Sequence, residues 1–159
     1  MKIVYVITRS DVIGGASVHL MDLASGMQTE GHEVTILVGG KGMLIQKVQE
    51  KGLNCISLKH LVREISPYHD FLCFFELKKK LTDLNPDIVH LHSSKAGLIG
   101  RMVARVLGTP NIFTAHGWSF TDGVSNKRRH IYRFLERHIA KFSDKIITVS
   151  SSVRLGNCS

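Results

Sequence analysis

Short, almost unbroken apolar runs alternate with longer amphipathic stretches along the whole of this 159-residue chain, and that alternation constrains the fold more than any other feature. Runs at 3–8, 33–38, 54–58, 87–91, 111–115 and 145–149 are rich in Val and Ile and lack a polar face, the pattern of strands covered on both sides. Between them, helical periodicity fills 16–30, 43–51, 70–84, 95–107 and 127–142. A strand–helix–strand series requires crossover connections. The predicted fold is therefore α/β: a doubly wound, mainly parallel, Rossmann-like sheet with helices on both faces. Gly31, Gly52 and Gly108 with Pro110 punctuate helix ends, and Asn85-Pro86 stops the third helix. Residues 57–69 read as the one long irregular connection, with a turn at Ser66-Pro67-Tyr68. Residues 1–150 form one domain in this reading, and 151–159 begin a linker or a further helix that stops unfinished.

The formal net charge is +8, from 21 Lys and Arg against 13 Asp and Glu. That balance favours an anionic partner such as a phosphorylated small molecule or an acidic membrane surface. Nucleic acid is not expected: the basic residues are not interleaved with aromatics on strands, and no helix-turn-helix stands out. Cys55, Cys73 and Cys158 are widely spaced without ligand-type spacing, which argues for a reducing compartment. The N-terminal apolar run is too short for a secretory signal and nothing reaches transmembrane length, so the chain reads as cytoplasmic.

Gly14-Gly15-Ala16 follows the first strand and opens a helix, an arrangement that lets backbone approach a phosphate at a helix N-terminus. A dinucleotide fold would need G-x-G-x-x-G directly after the strand and an acid at the end of the second. Here the second strand ends Val38-Gly39-Gly40-Lys41. A P-loop is absent as well. A ligandless tight turn is the competing reading.

Two strand ends carry the polar residues of interest, His92-Ser93-Ser94-Lys95 and His116-Gly117-Trp118. In an open α/β sheet such ends line the ligand crevice. His90 and His92 lie two apart on one strand and face the same way, but no neighbour supplies a third ligand, so no metal is expected. His90 reads as a hydrogen-bonded core residue. Ser93 or Ser94 suits a helix N-cap. Lys95 opposes the helix dipole, which fits better if an anion binds there. His116 is placed to hydrogen-bond a polar ligand or to donate charge to a developing anion. Trp118 and Phe120 read either as a sugar-stacking surface or as a loop anchor.

The stretch 127–142 pairs an apolar stripe with Lys127, Arg128, Arg129, Arg133, Arg137 and Lys141. A core-facing stripe with a solvated face is the plain reading, and attraction to anionic lipid the second. Phe71-Leu-Cys-Phe-Phe75 before Lys78-Lys-Lys80 is another place for membrane contact, though such runs are more often core.

Taken in order, Gly14-Gly15-Ala16, Pro86-Asp-Ile-Val-His-Leu-His-Ser-Ser-Lys-Ala-Gly97 with Gly100-Arg101, Thr114-Ala-His-Gly-Trp-Ser-Phe120, Leu135-Glu-Arg137 and Phe142-Ser-Asp-Lys-Ile-Ile-Thr-Val-Ser150 resemble the N-terminal domain of family-4 retaining glycosyltransferases. The branch resembled is bacterial and builds capsular and exopolysaccharide units. The resemblance implies the GT-B architecture, in which an acceptor-side domain faces a donor-side domain. It also implies a nucleotide-sugar donor as substrate, with no cofactor, and a lipid-linked or saccharide acceptor. Peripheral association with the inner face of a membrane is a further implication. Gly14 and Gly15 would approach the donor diphosphate, and His116 would act catalytically beside the transferred sugar. Ser93, Ser94, Lys95, Gly117 and Trp118 would line the substrate cleft. The family's E-x7-E motif belongs to the other domain, and among Glu30, Glu33, Glu50, Glu64, Glu76 and Glu136 no two have that spacing. The expectation is a half-enzyme lacking its C-terminal donor domain and inactive alone. Two rivals are a non-catalytic membrane- and acceptor-binding subunit that recruits a separate donor-binding chain, and a nucleotide-sugar epimerase of the same architecture. The Ser-Ser-Lys-Ala-Gly and His-Gly-Trp-Ser-Phe pieces weigh against the epimerase.

Overall fold

The computed structural model describes residues 1–64, 66–116 and 137–149. Its elements run β1 (Lys2–Ile7), α1 (Gly15–Thr29), β2 (Glu33–Gly39), α2 (Met43–Glu50), β3 (Asn54–Leu58), α3 (Pro67–Leu84), β4 (Ile88–His92), α4 (Ser94–Leu107), β5 (Asn111–Ala115) and β6 (Lys145–Thr148), with a short 3-10 turn at Ala140–Phe142 before the last strand. The strands form one sheet in the order β3-β2-β1-β4-β5-β6, every pair parallel. The doubly wound Rossmann-like expectation holds, and strand boundaries agree with the sequence reading to within one residue. Most of the helix expected at 127–142 lies outside the described residues.

The missing polar alternation in the strands has its reason in two cores, one on each face. On one, Tyr5, Ile7, Ile36 and Val38 pack against Leu20 and Ala24 of α1 and Leu44 and Val48 of α2. On the other, Val6, Leu37, Val89, Leu91 and Phe113 meet Leu77 and Leu81 of α3 and Ile99 and Val103 of α4. Since Val89 and Leu91 face α3 and α4, period-two alternation turns His90 and His92 toward the α1 side.

Helix α4 lies close to the sheet because Gly97 and Gly100 have no side chain. A Cβ at Gly97 would stand 2.5 Å from the Phe113 ring, and one at Gly100 would overlap Leu91. The same approach brings fully buried Arg101 over Phe113, its guanidinium carbon 4.4 Å from the ring centre and its Nε donating to the Gly97 carbonyl at 2.7 Å. The Gly100-Arg101 pair thus has a packing reason.

Helix α3 corrects one expectation. Ser66-Pro67-Tyr68 does not form a turn within a long loop. Ser66 is the N-cap and Pro67 takes the first helical position, where its fixed φ and missing N–H cost nothing. Asn85, in the left-handed region at φ 45°, ends that helix as its sequence foretold.

Candidate functional site

Strand order reverses direction between β1 and β4, so the loops leaving their carboxyl ends part and open a crevice. Polar groups collect there. At its floor, the Thr8 hydroxyl accepts from the Ala96 amide at 3.1 Å and lies 2.7 Å from the Ser93 hydroxyl, while the Thr8 amide donates to Ser93 Oγ at 3.3 Å. Ala96 is the third residue of α4, so the residue just past β1 caps the helix after β4. Ser93 occupies the N-cap position but makes no capping bond, and its backbone is held at φ 74°, ψ 149°. A non-glycine residue there is strained by about 1–3 kcal/mol. The expected serine cap is therefore replaced by a cap from another strand. Ser94, half-buried, begins the helix itself.

Above this floor stands a column of imidazoles. His90, buried as expected, pairs its Nε2 with Thr114 Oγ1 at 2.7 Å and packs against Tyr5 with ring centroids 5.3 Å apart. One pleat further along, His92 is fully buried, and its Nδ1 lies 2.9 Å from Nε2 of half-buried His116. The exposed side chain of His19, one turn into α1, closes the group, with ring centroids 5.9 Å from His92 and 5.2 Å from His116. One ligand nitrogen from each of His19, His92 and His116 lies within 4.8 Å of the other two. Sequence reasoning found no third ligand because His19 stands 73 positions before His92 (92 − 19) and sits in an amphipathic stretch as an ordinary surface residue.

Burial favours the uncharged form of His90, His92 and His116. It pushes His90 down to about 4 and His92 down to about 2, with repulsion from the neighbouring imidazoles adding to both. His116 is lowered as well, first by burial and then by His19. The lowering at His116 tells against half of the sequence reading, favouring a ring that hydrogen-bonds over one that supplies charge.

Lys95 is also corrected. It forms an ion pair with Asp70 Oδ1 at 2.6 Å and donates to the Glu64 carbonyl, with its side chain 12% exposed. Asp70, in the first turn of α3, offsets the charge that looked misplaced at the start of α4, so an intramolecular partner accounts for this lysine.

Gly14 and Gly15 stay open. Gly14 is the N-cap of α1 at φ −121°, neither residue needs a positive φ, and a Cβ on either would meet nothing within 4 Å among the described residues. Nothing in the described part of the chain explains glycine at these positions. The first turn of α1 carries no acidic residue, so its N–H groups and positive dipole end face the crevice unopposed. Beside it, a cleft of about 320 Å³ runs between the loops after β1, β2 and β3, edged by Arg9, Lys41 and Arg63. Asp11 there is bound by the Arg9 guanidinium at 2.8 and 3.0 Å. Gly117, Trp118 and Phe120 lie outside the described residues.

Fold and crevice together define a Rossmann-like domain with a helix N-terminus and a cluster of imidazoles at its topological switch point. The chain belongs to glycosyltransferase family 4: the model described as Glycosyltransferase Family 4 matches residues 13–155. It is 31% identical over 144 residues to the UDP-Gal:alpha-D-GlcNAc-diphosphoundecaprenol alpha-1,3-galactosyltransferase of Escherichia coli, a match covering 83% of this chain and 37% of that protein. The O-antigen biosynthesis glycosyltransferase WbnH of Escherichia coli is 26% identical over 148 residues, covering 93% and 41%. Among solved structures, Anabaena HepE in complex with UDP and glucose superposes with a TM-score of 0.77 at 13% identity, covering 99% of this chain and 40% of that one. The likeness to HepE is one of fold. The chain spans about two fifths of the length of these proteins. Among the described residues, no helix is long and apolar enough to cross a membrane.

Proposed function

We propose that this chain is the acceptor-side half of a retaining glycosyltransferase that moves a sugar from a nucleotide-sugar to a lipid-linked or saccharide acceptor in surface-polysaccharide synthesis. The observation that carries the reading is the crevice at the β1/β4 switch point, where two glycines that nothing among the described residues explains open the N-terminus of α1, whose His19 ring lies 5.2 Å from that of His116. The name of the Escherichia coli galactosyltransferase, with its diphosphoundecaprenol-linked acceptor, supports the lipid-linked class. In this reading the α1 N-terminus meets the donor diphosphate, whose developing negative charge its dipole stabilises. The acceptor hydroxyl attacks the anomeric carbon from the side the diphosphate leaves. The electrons of the breaking C–O bond go to the leaving phosphate oxygen, which takes the hydroxyl proton. No side-chain nucleophile is required. Neutral His116 hydrogen-bonds the transferred sugar, and Ser93 and Ser94 line the floor. Lys95 acts as a positioning residue that locks α3 to α4. The cleft edged by Lys41 and Arg63 receives the acceptor's anionic head.

Membrane contact belongs to the same reading. On α3, Tyr68, Phe71 and Phe75 are 69%, 63% and 52% exposed on the face opposite the buried Cys73, Leu77 and Leu81, with Lys79 continuing that face. Exposed aromatics followed by lysine suit a bilayer surface with anionic lipid.

The test is sugar transfer from a panel of nucleotide-sugars onto membrane lipid extract, by the chain alone and by the chain joined to a family-4 donor-side domain. Transfer only by the joined form, lost on His116→Ala with folding intact, is expected. Turnover by the chain alone would overturn the half-enzyme reading. Silence from both, with lipid binding kept, would favour the recruiting subunit.

A further inference from the structure

From the juxtaposition of His19, His92 and His116 at the rim of the crevice, we infer that this chain binds a first-row transition-metal dication of the zinc class through three imidazole nitrogens. Each residue comes from a different element. His19 stands on α1, His92 ends β4 and His116 follows β5, so the fold rather than a local motif assembles the set. Two of the ligand atoms, His92 Nδ1 and His116 Nε2, are already 2.9 Å apart, and the three lie within 4.8 Å of one another. Zinc bound tetrahedrally to imidazole at about 2.0–2.1 Å holds its nitrogens about 3.3 Å apart. Exposed His19 has the freedom to close that difference.

The donor chemistry selects the ion. Three imidazoles, with no carboxylate in the group among the described residues, suit zinc, cobalt, nickel or copper and disfavour magnesium or calcium, which require oxygen ligands. His92 Nδ1 and His116 Nε2 face each other at 2.9 Å and hold one proton between them, and an ion that takes both lone pairs would replace that contact. With three protein ligands, a fourth position remains for an exogenous ligand, the form of a zinc site able to accept one. An ion there would take the His116 nitrogen from a sugar hydroxyl. That consequence alone rests on the proposed transfer reading, and the ion site does not.

The experiment titrates Co2+ and then Zn2+ into the untagged chain without any nucleotide-sugar, following cobalt absorption and competition with a chromogenic chelator. We expect one equivalent bound with tetrahedral cobalt bands, roughly tenfold or more weaker in His19→Ala, whose exposed position leaves the fold and urea midpoint unchanged. His116→Ala weakens binding likewise. His69→Ala leaves it unchanged, although His60 and His69 form a separate pair with ring centroids 6.2 Å apart. No stoichiometric binding at micromolar metal, or binding that survives His19→Ala and falls in His69→Ala, overturns the proposal without touching the glycosyl-transfer reading.

Discussion

Replacing Thr8 by valine keeps the shape of the side chain and removes a hydroxyl that joins the two sides of the crevice. Three contacts depend on that position: the Ala96 amide at 3.1 Å, the Ser93 hydroxyl at 2.7 Å, and the Thr8 amide to Ser93, which survives. The Ala96 amide is buried and its helix has no other side-chain cap. Losing a cap costs about 1 kcal/mol, and orphaning a buried donor about 1–3 kcal/mol. These describe one event and are not summed. With the weakened Ser93 contact the loss is about 2 kcal/mol, which for a domain of this size lowers Tm by roughly 4–8 °C. Urea unfolding followed by circular dichroism measures it. Thr8→Ser, which keeps the hydroxyl, should recover most of the difference. Ser93→Gly separates the opposing effects at the neighbouring position, relieving the positive φ while removing the Thr8 partner, and should fall between wild type and Thr8→Val. If Thr8→Val unfolds within about 0.5 kcal/mol of wild type, the cross-strand cap contributes nothing and the strained Ser93 backbone needs another explanation.

Acid should unfold the chain early. His90 and His92 have native pKa values depressed from 6.5 to about 4 and about 2, so the unfolded chain takes up protons first as pH falls. Their contribution is complete above 6.5 and declines below it toward the native values, by about 2 kcal/mol per ring between pH 7 and 5. Urea midpoints in EDTA measure this, and a flat profile would refute it. Lys95→Met leaves the Asp70 carboxylate without its cation, so it and Asp70→Asn should each cost about 1–3 kcal/mol. The double variant should cost less than the sum, whereas a lysine reserved for a ligand would show no coupling. Replacing Phe71 and Phe75 by serine should cut binding to anionic vesicles about tenfold or more in a sedimentation assay, with salt weakening what remains. Unchanged partitioning would return those rings to the role of bystanders.

The sheet was readable from the sequence because buried strands announce themselves. Val4 and Leu37 sit in unbroken apolar runs, and their neighbours on the opposite face, Ile3, Tyr5, Ile36 and Val38, are equally buried. The start of α3 was missed for the converse reason. Ser66-Pro67 carries the same residues in a turn and at a helix N-terminus, and only the continuation of the chain past His69 distinguishes them. The capping bond from Thr8 to Ala96 spans 88 positions, and no local pattern encodes it.

The site divides along the same line. Ser93 and His116 could be singled out because each directly follows a strand, and Gly14 and Gly15 because they open the helix after β1, where a parallel sheet places its crevice. Lys95 was misjudged because its partner, Asp70, lies on another helix, and one helix read alone reports only its own dipole. His19 was invisible for a related reason: an exposed histidine on an amphipathic helix gains meaning only when β4 and β5 bring His92 and His116 beside it. Sequence therefore pointed to the rim of the crevice, while the chemistry between its walls depends on distances the crossovers set. The imidazole cluster follows from that division. On β4, positions 90 and 92 face α1 where the neighbouring core is apolar, and burial there forces neutrality on rings that would otherwise titrate near physiological pH. Apolar residues of similar volume would fill that face without a buried nitrogen that lacks a partner among the described residues, so packing alone does not account for the imidazoles. A ligand at the rim, the sugar or the ion proposed above, would account for them.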